Sequence, residues 1–152
     1  MLKMIDRTVE RIKKSRYLMI FEDTVGFYGS DDATTVKGFH TDTYYYDSLN
    51  RLIKVVSKRP WSPNTYFFSN NLLIKAVVYW FWEDGDYVNN RGYGHRRVNV
   101  KEEVKEYYYS KEDNDLNDKT INELIIAHPE RKEFLANLSI GIGFIKQSLS
   151  KH

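Results

Sequence analysis

The sequence predicts an α+β domain: an antiparallel β-meander of about five to seven strands, with a short N-terminal helix before it and C-terminal helices packed on one face. Three observations predict it. A near-repeat of strand–turn–strand units occupies residues 43–78, apolar residues alternate through the middle of the chain, and the last third changes to a helical period. One domain is expected over 1–152, with the first helix in 1–16, the sheet in 17–110 and the C-terminal helices in 119–150.

Leu2, Ile5, Val9 and Ile12 recur at helical spacing, so residues 2–15 read as an amphipathic helix. It is basic, because Lys3 to Arg16 holds six cations against Asp6 and Glu10. That pattern suits a solvated helix face, and also contact with nucleic acid or a membrane surface. Tyr17 to Phe21 is an apolar run of strand length, Thr24 to Tyr28 can continue it, and Gly29-Ser30-Asp31-Asp32 is a turn signal.

The near-repeat sets Thr43–Val56 against Thr65–Val78, with one residue dropped in the turn. Each unit is an aromatic strand (Tyr44-Tyr45-Tyr46, Tyr66-Phe67-Phe68), a polar turn, and a strand that opens Leu52-Ile53-Lys54 or Leu73-Ile74-Lys75. Two β-hairpins in tandem are the natural reading. Pro60 and Pro63 bracket Trp61 in the link, where missing amide donors do no harm. Val104 to Tyr109 is a further aromatic strand ending in the turn-rich Ser110 to Asp118.

Thr120 and Glu123 have capping-box spacing and open a helix through Ile121, Leu124, Ile125 and Ala127. Pro129 breaks it and suits the first turn of the next. Phe134, Leu135, Leu138, Ile142, Ile145 and Leu149 make one apolar stripe. Gly141 and Gly143 sit inside that helix, where close approach to the sheet would explain both.

Strand parity separates the faces. In the longest strand Leu72, Ile74, Ala76, Val78, Trp80 and Trp82 share one side, expected against the C-terminal helices. The opposite face then carries Lys54, Lys75, Tyr79, Phe81, Lys105, Tyr107 and Tyr109. Aromatic and cationic groups on one sheet face form a candidate recognition surface, with Lys75, Tyr79, Phe81, Tyr107 and Tyr109 as its binding residues. Strand propensity and cross-strand aromatic pairing explain the same residues without a ligand.

The stretch 83–97 adds the densest polar functionality. Arg91-Gly92-Tyr93-Gly94-His95-Arg96-Arg97 has the Arg/Gly/aromatic composition that grips phosphates and stacks bases, which makes Arg91, Tyr93, His95, Arg96 and Arg97 further binding candidates. A solvated hairpin tip has the same composition.

The absence of cysteine excludes disulfides, thiol nucleophiles and cysteine-ligated metal or iron–sulfur sites. None of His40, His95, His128 and His152 falls in a metal-binding pattern, and no phosphate-binding or dinucleotide glycine motif occurs, so no metal and no cofactor are expected. No nucleophile stands near His40, and a small hydrolase centred on His95 with Asp84 or Asp86 is the weakest of three functional readings. Net charge is +2, and the longest uncharged apolar run, Ala76 to Trp82, is too short to span a membrane. Met1 to Ser15 has no signal-peptide core, which leaves cytoplasmic, periplasmic and secreted addresses open.

The tandem Thr43–Val56 and Thr65–Val78 units, with Glu106-Tyr107-Tyr108-Tyr109, resemble strand–turn–strand elements of small bacterial β-meander proteins. Those proteins carry a helix before the sheet and another after it, and are often made with a signal peptide. The likeness in layout covers residues 3–112. It implies the fold and an envelope or periplasmic address, and it implies no catalytic residue. The Tyr-Asp opening is also similar to repeats of Rhs-type surface proteins, although this chain lacks their glycine and has too few copies for a shell. The leading expectation is therefore a non-catalytic binding module. Its partner would be another protein, an envelope component or a second copy in a homodimer, with single-stranded nucleic acid as the alternative.

Overall fold

The computed structural model describes residues 2–14, 19–29, 32–59, 62–84, 87–90, 93–96 and 99–150. Helix α1 (Leu2–Lys14) precedes strands β1 (Met19–Gly29), β2 (Asp32–Tyr46), β3 (Leu52–Arg59), β4 (Ser62–Ser69) and β5 (Leu72–Asp84). Two short strands, β6 (Tyr87–Asn90) and β7 (Tyr93–Arg96), lead to β8 (Asn99–Tyr108). Helices α2 (Lys111–Asn114), α3 (Asp118–Ala127) and α4 (Lys132–Ser150) follow, with a 3-10 turn at Pro129–Arg131. Six strands form one antiparallel sheet in the order β1-β2-β3-β4-β5-β8, and β6–β7 is a separate hairpin between the last two. The predicted α+β meander is thus the observed fold. Tyr17, Pro60, Trp61, Asp86, Arg91 and Arg97 lie outside the described residues.

The near-repeats fold alike, down to an irregularity. Tyr45 pairs with Lys54 and Tyr46 with Leu52, which leaves Ile53 as an extra residue. Phe67 pairs with Lys75 and Phe68 with Leu73, which leaves Ile74 in the same role. Each isoleucine is a β-bulge, and a bulge inverts the alternation beyond it. The residue by which the repeats differ lies in the turns. Asn70 and Asn71 both have positive φ (52° and 60°), as a two-residue type I′ turn requires. The longer first turn places Asn50 at φ 59° and is closed by Asp47, whose Oδ1 accepts the Leu49 and Arg51 amides at 3.0 and 2.9 Å.

These bulges correct the face assignment. Leu73, Ala76 and Val78 point to the α3–α4 layer with Tyr44, Tyr46, Leu52, Val55, Tyr66 and Phe68. Ile74, expected among them, instead packs with Phe67, Tyr45, Val77 and Tyr108 against Ile5, Val9 and Ile12 of α1. In β8 the register Ala76–Tyr107 and Lys75–Tyr108 puts Tyr107 and Tyr109 on the α4 side, not on the open face. The sheet is therefore sandwiched where the helices reach it, with α1 on one face and α3 and α4 on the other.

Buried tyrosines need hydroxyl partners. Tyr46 meets Ser148 Oγ at 2.8 Å, Tyr66 donates to Asn137 Oδ1 at 2.9 Å, and Tyr109 donates to the Phe134 carbonyl at 2.8 Å. All three bonds fasten the sheet to α4. Phe144 sits edge-on to Tyr44 and Tyr66, with ring centroids 5.8 and 5.2 Å away. Gly141 lets α4 approach, since a Cβ there would collide with the Leu73 side chain. Gly143 has no such reason, as nothing lies within 4 Å of its would-be Cβ.

The expected capping box at Thr120 is replaced by an earlier cap. Helix α3 begins at Asp118, so Thr120 is already helical, and the Asn117 side chain accepts its amide at 2.8 Å. A capping box does form one helix earlier, where Ser110 Oγ accepts the Asp113 amide at 3.1 Å and Asp113 Oδ2 accepts the Ser110 amide at 2.8 Å.

Candidate functional site

The bulge at Ile74 turns Lys75 towards α1, where its side chain is 8% exposed. Lys75 Nζ lies 3.0 Å from Asp6 Oδ1, 3.5 Å from Glu106 Oε1 and 4.8 Å from the centroid of the Tyr108 ring. The Tyr108 hydroxyl donates to Asp6 Oδ1 at 3.0 Å and lies 3.3 Å from Glu106 Oε2. Burial alone would lower the Lys75 pKa, but the contacts with Tyr108 and Asp6 and the Glu106 charge outweigh it and raise the value. The Lys75 and Tyr108 hydrogen bonds lower that of Asp6. The Lys75 contact draws Tyr108 down, yet burial and the two carboxylates leave it raised.

This electrostatic pattern settles what Lys75 can do. A lysine held protonated is neither a nucleophile nor a general base. It is an anchor that ties α1 to the sheet. Lys54, its equivalent in the first repeat, lies 4.3 Å over the Tyr45 ring on the same face.

The expected recognition residues divide between the two faces. Tyr79 stays on the Lys75 side, half-buried, and its amide donates to Asn64 Oδ1 at 3.0 Å. The backbone of Phe81 pairs with Glu102 of β8. Tyr107 and Tyr109 belong to the helix side. Tyr109 is 2% exposed and stacks on Phe134 at 4.6 Å, and Tyr107 meets the same ring edge-on at 6.2 Å. Burial pushes both phenols up, helped at Tyr107 by Glu133 and at Tyr109 by Tyr66. Lys105 joins them by pairing with Glu133 at 3.2 Å. Sequence parity reversed β8 because it turned Val104 inward, whereas Val104 pairs with Tyr79 and is exposed, and Tyr107 pairs with the buried Ala76.

The 83–97 candidates form a hairpin with Tyr87 opposite Arg96, Val88 opposite His95 and Asn90 opposite Tyr93. Arg91 and Arg97 fall outside the described residues.

One polar row was missed. Asp42 pairs with Asp23 and with Ser57, and Ser57 pairs with Asn64. Asp42 and Ser57 are buried on the helix side, one step beyond Tyr44, Val55 and Tyr66. Parity was the available signal, since each polar residue stands two positions from an inward tyrosine or valine. A depression of about 710 Å³ is bordered along α1 by Lys3, Met4, Arg7 and Arg11 together with Asp6 and Glu10. Its two carboxylates already lie against cations, Asp6 against Lys75 at 3.0 Å and Glu10 against Lys13 at 3.4 Å.

Among the described residues no group of three or more histidine or carboxylate side chains is placed to hold a metal, and no helix is long and apolar enough to cross a membrane. Comparisons with protein families, with curated proteins and with solved structures each find no match to this chain, so the functional reading rests on its own residues.

Proposed function

We propose that the chain is a non-catalytic module that binds another protein, and that its contact surface is the far end of the β5–β8 ribbon with the β6–β7 hairpin. One observation carries the reading. The β4–β5 ladder ends at Val77, the Asn64 side chain adds a tie to the Tyr79 amide, and beyond Tyr79 the described pairings of β5 are to β8 alone. The uncharged aromatic run Trp80-Phe81-Trp82 falls in that two-stranded stretch.

A two-stranded ribbon is marginal in water on its own, and covering one large apolar side chain contributes about 1.5–3 kcal/mol. A protein partner recovers that energy, and aromatic residues are enriched where proteins meet. Single-stranded nucleic acid is less well supported, because a net charge of +2 does not mark a nucleic-acid binder.

A photoreactive amino acid placed at Trp82 in the full chain, expressed in its native host, tests the reading. One discrete adduct is expected, absent when the probe replaces the exposed Glu123 on α3. An adduct of twice the chain mass identifies a second copy as the partner. No adduct from position 82, or equal adducts from both positions, overturns the proposal.

A further inference from the structure

A second surface, on the opposite side of α1 from the sheet, carries a separate inference. Helix α1 buries Ile5, Val9 and Ile12 against the sheet, so its apolar stripe is already used. Lys3, Arg7, Arg11 and Lys14 recur at helical spacing on the reverse side, and all four are exposed. The stripe spans about 16 Å of helix. Glu10, on its flank, is engaged by Lys13 at 3.4 Å. Met4 stands beside the stripe at 71% exposure, and Leu2, at the same helix end, is 51% exposed.

The charge of the molecule is polarised about this helix. Between Leu2 and Lys14 five cations face two carboxylates, whereas between Lys111 and Ser150, on the other side of the sheet, seven carboxylates face five cations. The near-neutral total conceals a basic front and an acidic back. Such a molecule turns its front to an extended anionic surface and its back away from it.

We infer that the outer face of α1 docks on an anionic lipid surface through Lys3, Arg7, Arg11 and Lys14, with Met4 entering the headgroup layer. Two observations choose lipid over nucleic acid. The helix contains no aromatic residue on which a base could stack. Its exposed Met4 gains free energy in a bilayer interface and gains nothing on a phosphate backbone. Because the four cations face away from the sheet, docking requires no change in how α1 packs.

Sedimentation of the full chain with vesicles tests the inference. Vesicles of phosphatidylcholine with about one third phosphatidylglycerol should bind the chain at low ionic strength, and pure phosphatidylcholine vesicles should not. Added salt should release it. The variant carrying K3Q, R7Q, R11Q and K14Q should bind more weakly by about fivefold per cation removed, with an unchanged circular dichroism spectrum. M4Q should weaken binding severalfold. Failure to bind the anionic vesicles, or undiminished binding by the four-glutamine variant, overturns the inference. Unchanged binding by M4Q, or retention on an oligonucleotide without vesicle binding, overturns the choice of lipid.

Discussion

Lys75 Nζ lies 3.0 Å from Asp6 Oδ1, and that contact joins β5 to the first helix. Among the described residues, helix α1 also holds the sheet through the Tyr108 hydroxyl bond to Asp6 and through Ile5, Val9 and Ile12. The polar contact therefore fixes where α1 sits as well as how firmly.

Its pH dependence follows from the directions of the shifts. The Asp6 carboxyl is lowered, so its stabilisation is complete above the ordinary aspartate value of about 3.9 and fades as pH falls through the lower folded value. Lys75 is raised, so its stabilisation is complete below about 10.4 and fades as pH rises through the higher folded value. The difference in melting temperature between the parent chain and D6N should be flat from about pH 5 to 9 and shrink below about pH 4. A difference that grows with acid would contradict the assigned pairing. K75M should destabilise more than K54M, since Lys54 is less buried.

The hydroxyl of Tyr66 is a second test of how the layers are joined. It donates to Asn137 Oδ1, whose amide nitrogen donates in turn to the Glu133 carbonyl at 2.9 Å. Y66F removes one buried bond and leaves that oxygen without its donor, at a cost of about 1–3 kcal/mol. Urea unfolding of Y66F, N137A and the double variant should give a coupling of about 1 kcal/mol. Additivity would mean that the bond contributes nothing.

How far the fold was legible depends on which residues broke a period. The hairpins, both terminal helical regions and the meander follow from alternation and turn chemistry, which act locally. The face of Tyr107 and Tyr109 does not, because Val104 reads as the inward residue of β8 although it pairs with Tyr79, and neither does the face of Ile74, a bulge that no glycine marks. Leu72-Leu73-Ile74 is apolar throughout, so alternation is silent at the place where it changes sign. Lys75 was legible as a special residue, but its partners Asp6 and Tyr108 come from distant parts of the chain that only the packed helix brings together. The Asn117 cap was hidden because Thr120 and Glu123 offered the same signal three residues later.

The two glycines of α4 should respond in opposite directions to one substitution. A Cβ at Gly141 would press on the Leu73 side chain, so G141A should cost about 1–3 kcal/mol through displacement of a packed residue. Gly143 faces open space within a helix, so G143A should stabilise by up to about 1 kcal/mol. Thermal unfolding of both variants checks the pair, and equal signs would show that α4 is not seated as described.

Deletion of single residues from β5 should distinguish the bulge from the ladder around it. Removing Ile74 joins Leu73 directly to Lys75, which already face opposite sides, so each later side chain keeps its face and the strand becomes regular. The loss is limited to the half-buried isoleucine contact with the α1 cluster. Removing Val77 instead shifts Val78 and everything after it to the wrong face against β8. The Ile74 deletion should therefore unfold cooperatively in urea at a modestly lower midpoint, while the Val77 deletion should lose cooperative unfolding. The same contrast should hold in the first repeat between Ile53 and Val56, because Ile53 is the equivalent extra residue and Val56 lies in the ladder opposite Thr43 and Thr65. If removing either isoleucine proves as damaging as removing the valine beside it, the bulges are not slack in the ladder but fixed points on which the register depends.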